Sequence, residues 1–118
     1  MSDPLERCPL TAAVEIIGGK WTLIVLYALS QQPRRFNELQ RLAPGISHKV
    51  LTQTVRALED HGLVIREVGD TAVPCVLYSL SEYGATLRPV VDTIAIWGRE
   101  HLDLQRTPSP GSLARTVR

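Results

Sequence analysis

The 118-residue sequence contains only two cysteines, Cys8 and Cys75, and three scattered histidines. Two cysteines are too few for the disulfide framework of a small secreted domain. Their separation also matches no zinc-binding pattern, because structural zinc sites place their ligands in closely spaced pairs. The sequence therefore predicts a fold held together by its apolar core, without a metal ion or other cofactor.

Long hydrophobic runs are missing as well. The longest, residues 23–29, is far shorter than the roughly 20 residues that a helix needs to cross a bilayer. Residues 1–7 are charged and lack the apolar stretch of a signal peptide, so we expect a cytoplasmic protein without a membrane anchor. One domain is predicted over residues 8–103, between a flexible N-terminus (1–7) and a disordered tail (104–118) without hydrophobic period.

The residue patterns of enzymes are also lacking. There is no plausibly spaced carboxylate pair, metal-ligand cluster, glycine-rich phosphate loop or Ser/His/Asp arrangement. Gly18-Gly19-Lys20 lacks the flanking glycine of a phosphate-binding loop and precedes an apolar helix. The sequence therefore argues against catalysis.

A strong net charge is absent too, since the chain carries +1 overall. Its distribution is nevertheless uneven. Residues 31–56 carry five Lys and Arg against the single carboxylate of Glu38, whereas residues 57–103 carry eight carboxylates against three arginines. A basic segment in an acidic body presents one attractive face to a polyanion, although chance clustering gives the same count.

The spacing of the hydrophobic residues, together with the residues that start or interrupt helices, predicts three helices outside the central part of the chain. Residues 9–18 form a short helix with Thr11 as its cap. Residues 20–30 are apolar on almost all sides, which is typical of a central, covered helix. A long last helix is predicted over 81–102, with a kink at Pro89.

The central part predicts a helix-turn-helix. A short helix over 36–43 is followed by a tight Pro-Gly-Ile break at 44–46. A second helix, over 47–61, begins at the capping residue Ser47 and stops at Gly62. Two short helices joined by a glycine-containing turn are the signature of this motif, but many small helical domains contain such a corner.

The segment that follows sharpens this interpretation. Residues 63–68 and 75–80 are β-branched and apolar, which predicts two strands, and the loop 69–74 between them is rich in turn residues. A β-hairpin directly after a recognition helix is the wing of a winged helix, although Asp70 at its tip would repel phosphate. The predicted fold class is mainly α (α+β): a winged helix-turn-helix with a two-stranded β wing and a long C-terminal dimerisation helix.

Helix 47–61 has one apolar face and one polar, basic face. At 100° per residue Leu51, Thr54 and Leu58 form a buried stripe, opposite which the polar side chains project outward. Arg and Lys suit guanine, Gln suits adenine, and Thr suits the thymine methyl group. The alternative is a merely solvated face. The residues predicted to read bases in the major groove are Ser47, His48, Lys49, Thr52, Gln53 and Arg56.

Four further polar residues lie at the starts of the preceding helices. Lys20, Arg34, Arg35 and Asn37 are predicted to contact phosphates, which positions a protein on DNA without reading its sequence. For each of them, an ordinary solvated surface group is the alternative.

The last helix carries a continuous apolar stripe that a small domain does not need for its own core. We expect it to pack against a second copy of the chain, together with the 9–18 helix, and to place two recognition helices on an inverted-repeat operator in double-stranded DNA. The alternative is that the helix folds back on its own domain. The residues predicted for the dimer interface are Leu10, Val14, Leu87, Val90, Val91, Ile94 and Trp97.

Short motifs follow one another in order through residues 8–102. They are Cys8-Pro9, Ile17-Gly18-Gly19-Lys20-Trp21, Arg35-Phe36-Asn37-Glu38-Leu39, Pro44-Gly45-Ile46-Ser47, Leu51-Thr52, Leu58-Glu59, Gly62-Leu63-Val64, Tyr78-Ser79-Leu80, Leu87-Arg88-Pro89-Val90 and Trp97-Gly98. On these motifs the chain resembles the HxlR-type winged helix-turn-helix regulators, bacterial relatives of the MarR regulators. The resemblance implies a homodimer joined through its first and last helices, which represses or activates transcription.

The resemblance also implies a role for Cys8, because several family members sense electrophiles or oxidants through a cysteine at this position. A helix start favours the thiolate and nearby Glu6 disfavours it, so a redox sensor and a small buried residue both remain open. An oxidant or small-molecule effector is the corresponding expectation. The chain departs from the family at Cys75, usually basic, and at Leu77, usually a carboxylate. Cys75 is expected to lie too far from Cys8 for a disulfide.

One rival function is a winged helix that binds proteins or RNA. Protein binding would favour an apolar or acidic face on helix 47–61, and RNA binding would favour stacking aromatic residues. Neither feature is present in the sequence.

Overall fold

The computed structural model describes residues 8–69 and 75–106. The predicted flexible N-terminus (1–7), the wing-tip residue Asp70 and the tail from residue 107 lie outside the described residues. Within them the elements are, in chain order, α1 (Pro9–Ile17), α2 (Lys20–Gln31), β1 (Arg34–Arg35), α3 (Phe36–Leu42), α4 (His48–Asp60), β2 (Val64–Val68), β3 (Val76–Leu80), α5 (Glu82–Ala85) and α6 (Arg88–Arg106).

Helix α2 lies at the centre of the domain, as its uniformly apolar sequence predicts. It packs against α3, α4, α6 and β3, so that side chains on several of its sides are covered. Val25, Leu26 and Leu29 are each only 1% exposed. Burying each such side chain contributes about 1.5–3 kcal/mol, so α2 is the main support on which the surrounding elements are placed.

Helices α3 and α4 form the predicted helix-turn-helix. Gly45 has a φ of 92° and Gly62 a φ of 78°, in the left-handed region that side chains with a Cβ rarely adopt. The two glycines therefore permit the turn between the helices and the end of α4. The Ser47 hydroxyl accepts a hydrogen bond from the Val50 N–H at 3.1 Å, which confirms Ser47 as the cap of α4.

The sheet has three antiparallel strands in the order β1-β3-β2, one strand more than the predicted wing. Strands β2 and β3 form the expected hairpin, with Arg66 opposite Tyr78. The added strand is β1, in which Arg34 pairs with Tyr78 and Arg35 with Leu77. A two-residue strand is too short to show a hydrophobic period, and it exists because the distant β3 offers it a partner.

The predicted long last helix is divided into α5 and α6. Residue Pro89 lies in the first turn of α6, where its missing N–H costs nothing, so it marks a helix start rather than a kink. Ser81 caps α5 as predicted: its hydroxyl accepts from the Gly84 N–H at 2.9 Å and donates to the Gly62 carbonyl at 2.6 Å. At the other end α6 continues to Arg106, so residues 104–106 are helical and do not belong to the predicted disordered tail.

Helix α1 also begins differently from the prediction. Its N-cap is Cys8 and Pro9 occupies the first turn, so Thr11 lies inside the helix and does not cap it. No single helix in residues 8–69 and 75–106 is long and apolar enough to cross a bilayer, although α1 and α2 together, bent by 83°, reach that length and composition.

Candidate nucleic-acid interface

Helix α4 presents the polar face that the sequence predicts. Lys49, Gln53 and Arg56 are exposed on it, and Thr52 beside them is half-buried. They project outward because the opposite side of the helix is anchored in the core, where Leu51 and Leu58 are at most 1% exposed. The structure therefore brings these four side chains together in one row, here named the α4 row, whose base-reading role stays a prediction.

The N-terminal end of α4 is fixed by two further contacts. Ser47 and His48 are both exposed there, and the Ser47 oxygen is engaged in the helix cap. The His48 ring packs against Phe36 of α3, with 4.7 Å between ring centroids. Phe36 thereby holds the first turn of α4 against α3, which orients the whole α4 row relative to the rest of the motif.

The four predicted phosphate contacts are not alike in the structure. Arg35 and Asn37 are exposed next to the start of α3, where the Arg35 N–H donates to Glu38 at 2.8 Å. Lys20 instead places its ammonium group 4.5 Å from the centre of the Trp21 ring. Arg35 and Asn37 flank Phe36, which contacts His48 at the start of α4, and the phosphate role of all four residues stays a prediction.

Arg34 has an internal role that its sequence position did not indicate. Its Nε donates to the Ala28 carbonyl at 3.1 Å, and its Nη2 donates to Gln31 Oε1 at 2.7 Å. Last-turn carbonyls of a helix have no partner within the helix, so Arg34 stabilises the end of α2. Two of its donors are thus already used within the chain.

A cleft separates the α4 row from the wing, and sequence reasoning missed it. This helix–wing cleft has a volume of about 160 Å³ and is lined by Thr52, Val55, Arg56, Glu59, Arg66 and Tyr78. Arg66 Nε lies 3.6 Å from Glu59 Oε2. Burial is the main cause that raises the pKa of the Tyr78 phenol above its usual value, and the Glu59 carboxylate adds to it. The available signal was the alternation of β2, which places Arg66 on the same sheet face as buried Val64.

We compared the chain with known protein families and structures. The model of the HxlR-like helix-turn-helix family matches residues 16–106, which include all of α2 to α6. The chain belongs to the HxlR-like helix-turn-helix family. The predicted resemblance is thereby confirmed.

Relatives and solved structures agree with this assignment. The HTH-type transcriptional regulator YdeP of Bacillus subtilis (strain 168) is 44% identical over 102 residues, which cover 86% of this chain and 80% of YdeP. The structure of the redox regulator HypR in its oxidized form has a TM-score of 0.76 at 42% identity, covering 79% of this chain and 96% of HypR. The structure of a MarR-family regulator from Porphyromonas gingivalis W83 has a TM-score of 0.76 at 36% identity, covering 85% of this chain and 96% of that regulator.

This HxlR-like chain is therefore a transcriptional regulator of the helix-turn-helix type, and the family consists of regulators rather than enzymes. The predicted winged helix-turn-helix fold is confirmed, with the third strand as an addition.

The HxlR-like domain leaves an apolar surface uncovered on α1 and α6. Leu10 and Val14 of α1 are 75% and 62% exposed, and Val90, Ile94 and Trp97 of α6 are 42%, 39% and 65% exposed. Trp97 stacks on His101, with ring centroids 5.3 Å apart and planes inclined by 7°. These five apolar residues, here named the α1/α6 surface, belong to the predicted interface. Its dimer role stays a prediction.

Two residues of the predicted interface belong to the domain's own interior. Val91 is 2% exposed in the core, and Leu87 is half-buried against it. Successive residues on a helix point 100° apart, so Val91 can face the core while Val90 beside it faces solvent. Val91 is thus wrongly included in an exposed stripe, and part of α6 does fold back on its own domain.

Cys8 lies at the start of α1. The backbone N–H groups of Thr11 and Leu10 lower the pKa of its thiol from the usual value, because they stabilise a thiolate, while burial acts in the opposite direction. Cys8 and Cys75 are both free thiols, and no disulfide joins them. Within residues 8–69 and 75–106 no three His, Cys, Asp or Glu side chains are grouped so that they could hold a metal ion.

Proposed function

We propose that this regulator is a homodimer that binds double-stranded DNA sequence-specifically in the cytoplasm, with α4 in the major groove and the β2–β3 hairpin as the wing. The observation that carries the proposal is the α4 row: cationic and amide side chains stand together on the exposed face of a helix whose other face is buried. No carboxylate interrupts the row between Ser47 and Arg56.

The chemistry of the α4 row suits base edges. Lys49 and Arg56 are donors for the guanine O6 and N7 acceptors, and Gln53 pairs with the adenine N6 and N7 edge. Thr52 adds a hydroxyl and a methyl group. The N-terminal residues Ser47 and His48 lie where a recognition helix enters the groove. Arg35 and Asn37, at the start of α3, are the residues that would contact the phosphates alongside.

The α1/α6 surface supports a homodimer. Its side chains are large, apolar and exposed, and an apolar patch of this kind on a small domain marks an interaction site. A symmetric dimer presents two α4 rows, which read half-sites about 34 Å apart on an inverted repeat. The sign of regulation, repression or activation, follows from where that repeat lies in a promoter.

Selection of bound sequences from a random duplex pool tests the proposal. We expect an inverted repeat to be enriched. Arg56→Ala should weaken binding to the selected operator by about 1–3 kcal/mol per half-site and relax the preference at one base pair in each half-site. Arg99→Ala is the matched control, because it removes an exposed arginine from α6. Equal losses on operator and random duplex would contradict base reading by Arg56, and no binding to any duplex at low salt would refute the proposal.

A second proposal concerns the signal to which the regulator responds. The lowered pKa of Cys8 favours its oxidation by peroxide or its alkylation by an electrophile, and the solved relative HypR is named a redox regulator. We expect diamide to change the operator affinity of the wild-type protein and to leave Cys8→Ser unchanged. The Cys75→Ser variant is the control and should respond like the wild type. The same response in Cys8→Ser would end the redox hypothesis.

A further inference from the structure

The helix–wing cleft lies between the two elements that the proposed function places on DNA. None of the residues assigned so far contacts the DNA backbone at that point. If α4 occupies the major groove and the wing reaches the neighbouring minor groove, the sugar-phosphate strand that separates the two grooves must pass between α4 and the wing. The cleft is the gap between these two elements, so its walls would face that strand. This step rests on the proposed function.

The charges in the cleft match such a strand. The cleft is lined by Arg56 from α4 and Arg66 from β2, against the single carboxylate of Glu59. Because the proposed function assigns Arg56 to a base, Arg66 is the guanidinium that remains for the strand. The backbone position of Arg66 is set by its pairing opposite Tyr78, whose buried side chain also lines the cleft. Arg66 therefore extends from a fixed strand into the cleft.

We propose that the helix–wing cleft is a binding site for a phosphate of the DNA backbone, with Arg66 as the ligand and Glu59 as the group that holds Arg66 when DNA is absent. A guanidinium suits this role because its planar array of donors matches the oxygens of a phosphate.

The contact between Glu59 and Arg66 is weak enough to be replaced. The 3.6 Å between Arg66 Nε and Glu59 Oε2 exceeds hydrogen-bond length, and the two side chains are 50% and 27% exposed. Exposed ion pairs of this kind contribute little in water, whereas a phosphate offers Arg66 shorter, charge-assisted hydrogen bonds. Glu59 then remains close to the phosphate and repels it, so it limits the affinity for every DNA sequence.

The test measures the dissociation constants of the full chain for the selected operator and for a random-sequence duplex over a series of KCl concentrations. Arg66→Gln should weaken both complexes by a similar factor, about 3- to 10-fold for each half-site, and reduce the slope of log K against log salt by about 1.8, since each of the two subunits loses one phosphate contact that contributes about 0.9. Arg66→Lys keeps the charge and should retain the slope. Glu59→Gln should tighten binding to both duplexes. The control Arg99→Gln removes an equal charge from α6 and should change neither quantity.

Three results would overturn the proposal. They are an unchanged salt slope in Arg66→Gln, a loss confined to the operator, and weaker rather than tighter binding in Glu59→Gln. Should Arg66→Gln fail to fold by circular dichroism, Glu59→Gln and Arg66→Lys still decide the question. If the proposed function itself were wrong, the wild-type protein would bind neither duplex, which none of these three results would show.

Discussion

The exposed Trp97 side chain allows the dimer proposal to be tested without DNA. A tryptophan presents roughly 250 Å², and 65% exposure leaves about 160 Å² of it for a partner. At about 25 cal/mol per Å², covering half of this area contributes about 2 kcal/mol. A symmetric dimer contains two such residues, so Trp97→Ala should cost about 4 kcal/mol and raise the dimer dissociation constant about 1,000-fold.

Sedimentation equilibrium over a concentration series measures this constant directly. Ile65→Ala is the matched control, because Ile65 is a 46% exposed apolar residue on β2 that does not belong to the α1/α6 surface. Circular dichroism should show the same helix content for both variants at a concentration where the dimer persists. A dissociation constant for Trp97→Ala within about 3-fold of the wild-type value would refute the reasoning, since it corresponds to less than about 1 kcal/mol.

Three further predictions follow from single positions. Val91→Ala should lower the free energy of unfolding by about 1–3 kcal/mol in urea melts, because Val91 lies in the core; a change in dimerisation alone would contradict this. Gly84→Ala should destabilise the fold, because a Cβ there collides with the Leu63 carbonyl. Gly98→Ala in α6 meets no neighbour and should stabilise the fold by about 0.4–1 kcal/mol. Thermal melts measure both, and equal shifts of the melting temperature would contradict the contrast. The iodoacetamide reaction of Cys8 in a Cys75→Ser background should show its pH midpoint below that of the urea-unfolded chain, because the native pKa is lowered; identical midpoints would contradict the assignment.

The local features of the chain were predictable because local patterns encode them. The helical period of residues 47–61, the Ser47 cap and the Gly62 stop depend on residues at most a few positions apart. The α4 row follows from the same period, since burial of Leu51 on one side directs Gln53 and Arg56 to the other. The family motifs, which follow one another in order through residues 8–102, predicted the same elements over the whole domain.

Other features depend on residues far apart in sequence. Pairing with β3 makes a strand of Arg34 and Arg35, and donation to Ala28 engages the Arg34 guanidinium. The guanidinium of Arg88 likewise donates to the Ser30 carbonyl at 3.1 Å, which ties the start of α6 to the end of α2. Composition and period near these arginines do not indicate such partners, so surface roles were the natural expectation.

By itself, the sequence determined where most helices and strands of this regulator lie and which side of α4 faces solvent, because helix periodicity, caps and turn glycines act over a few residues. Only the tertiary structure decided that Val91 is covered by α2 and its neighbours, that a third strand joins the sheet, and that Arg66 meets Glu59 across a cleft. The physical reason is that burial and ion pairing depend on which surfaces are brought together, and chain folding brings together residues that no local pattern connects.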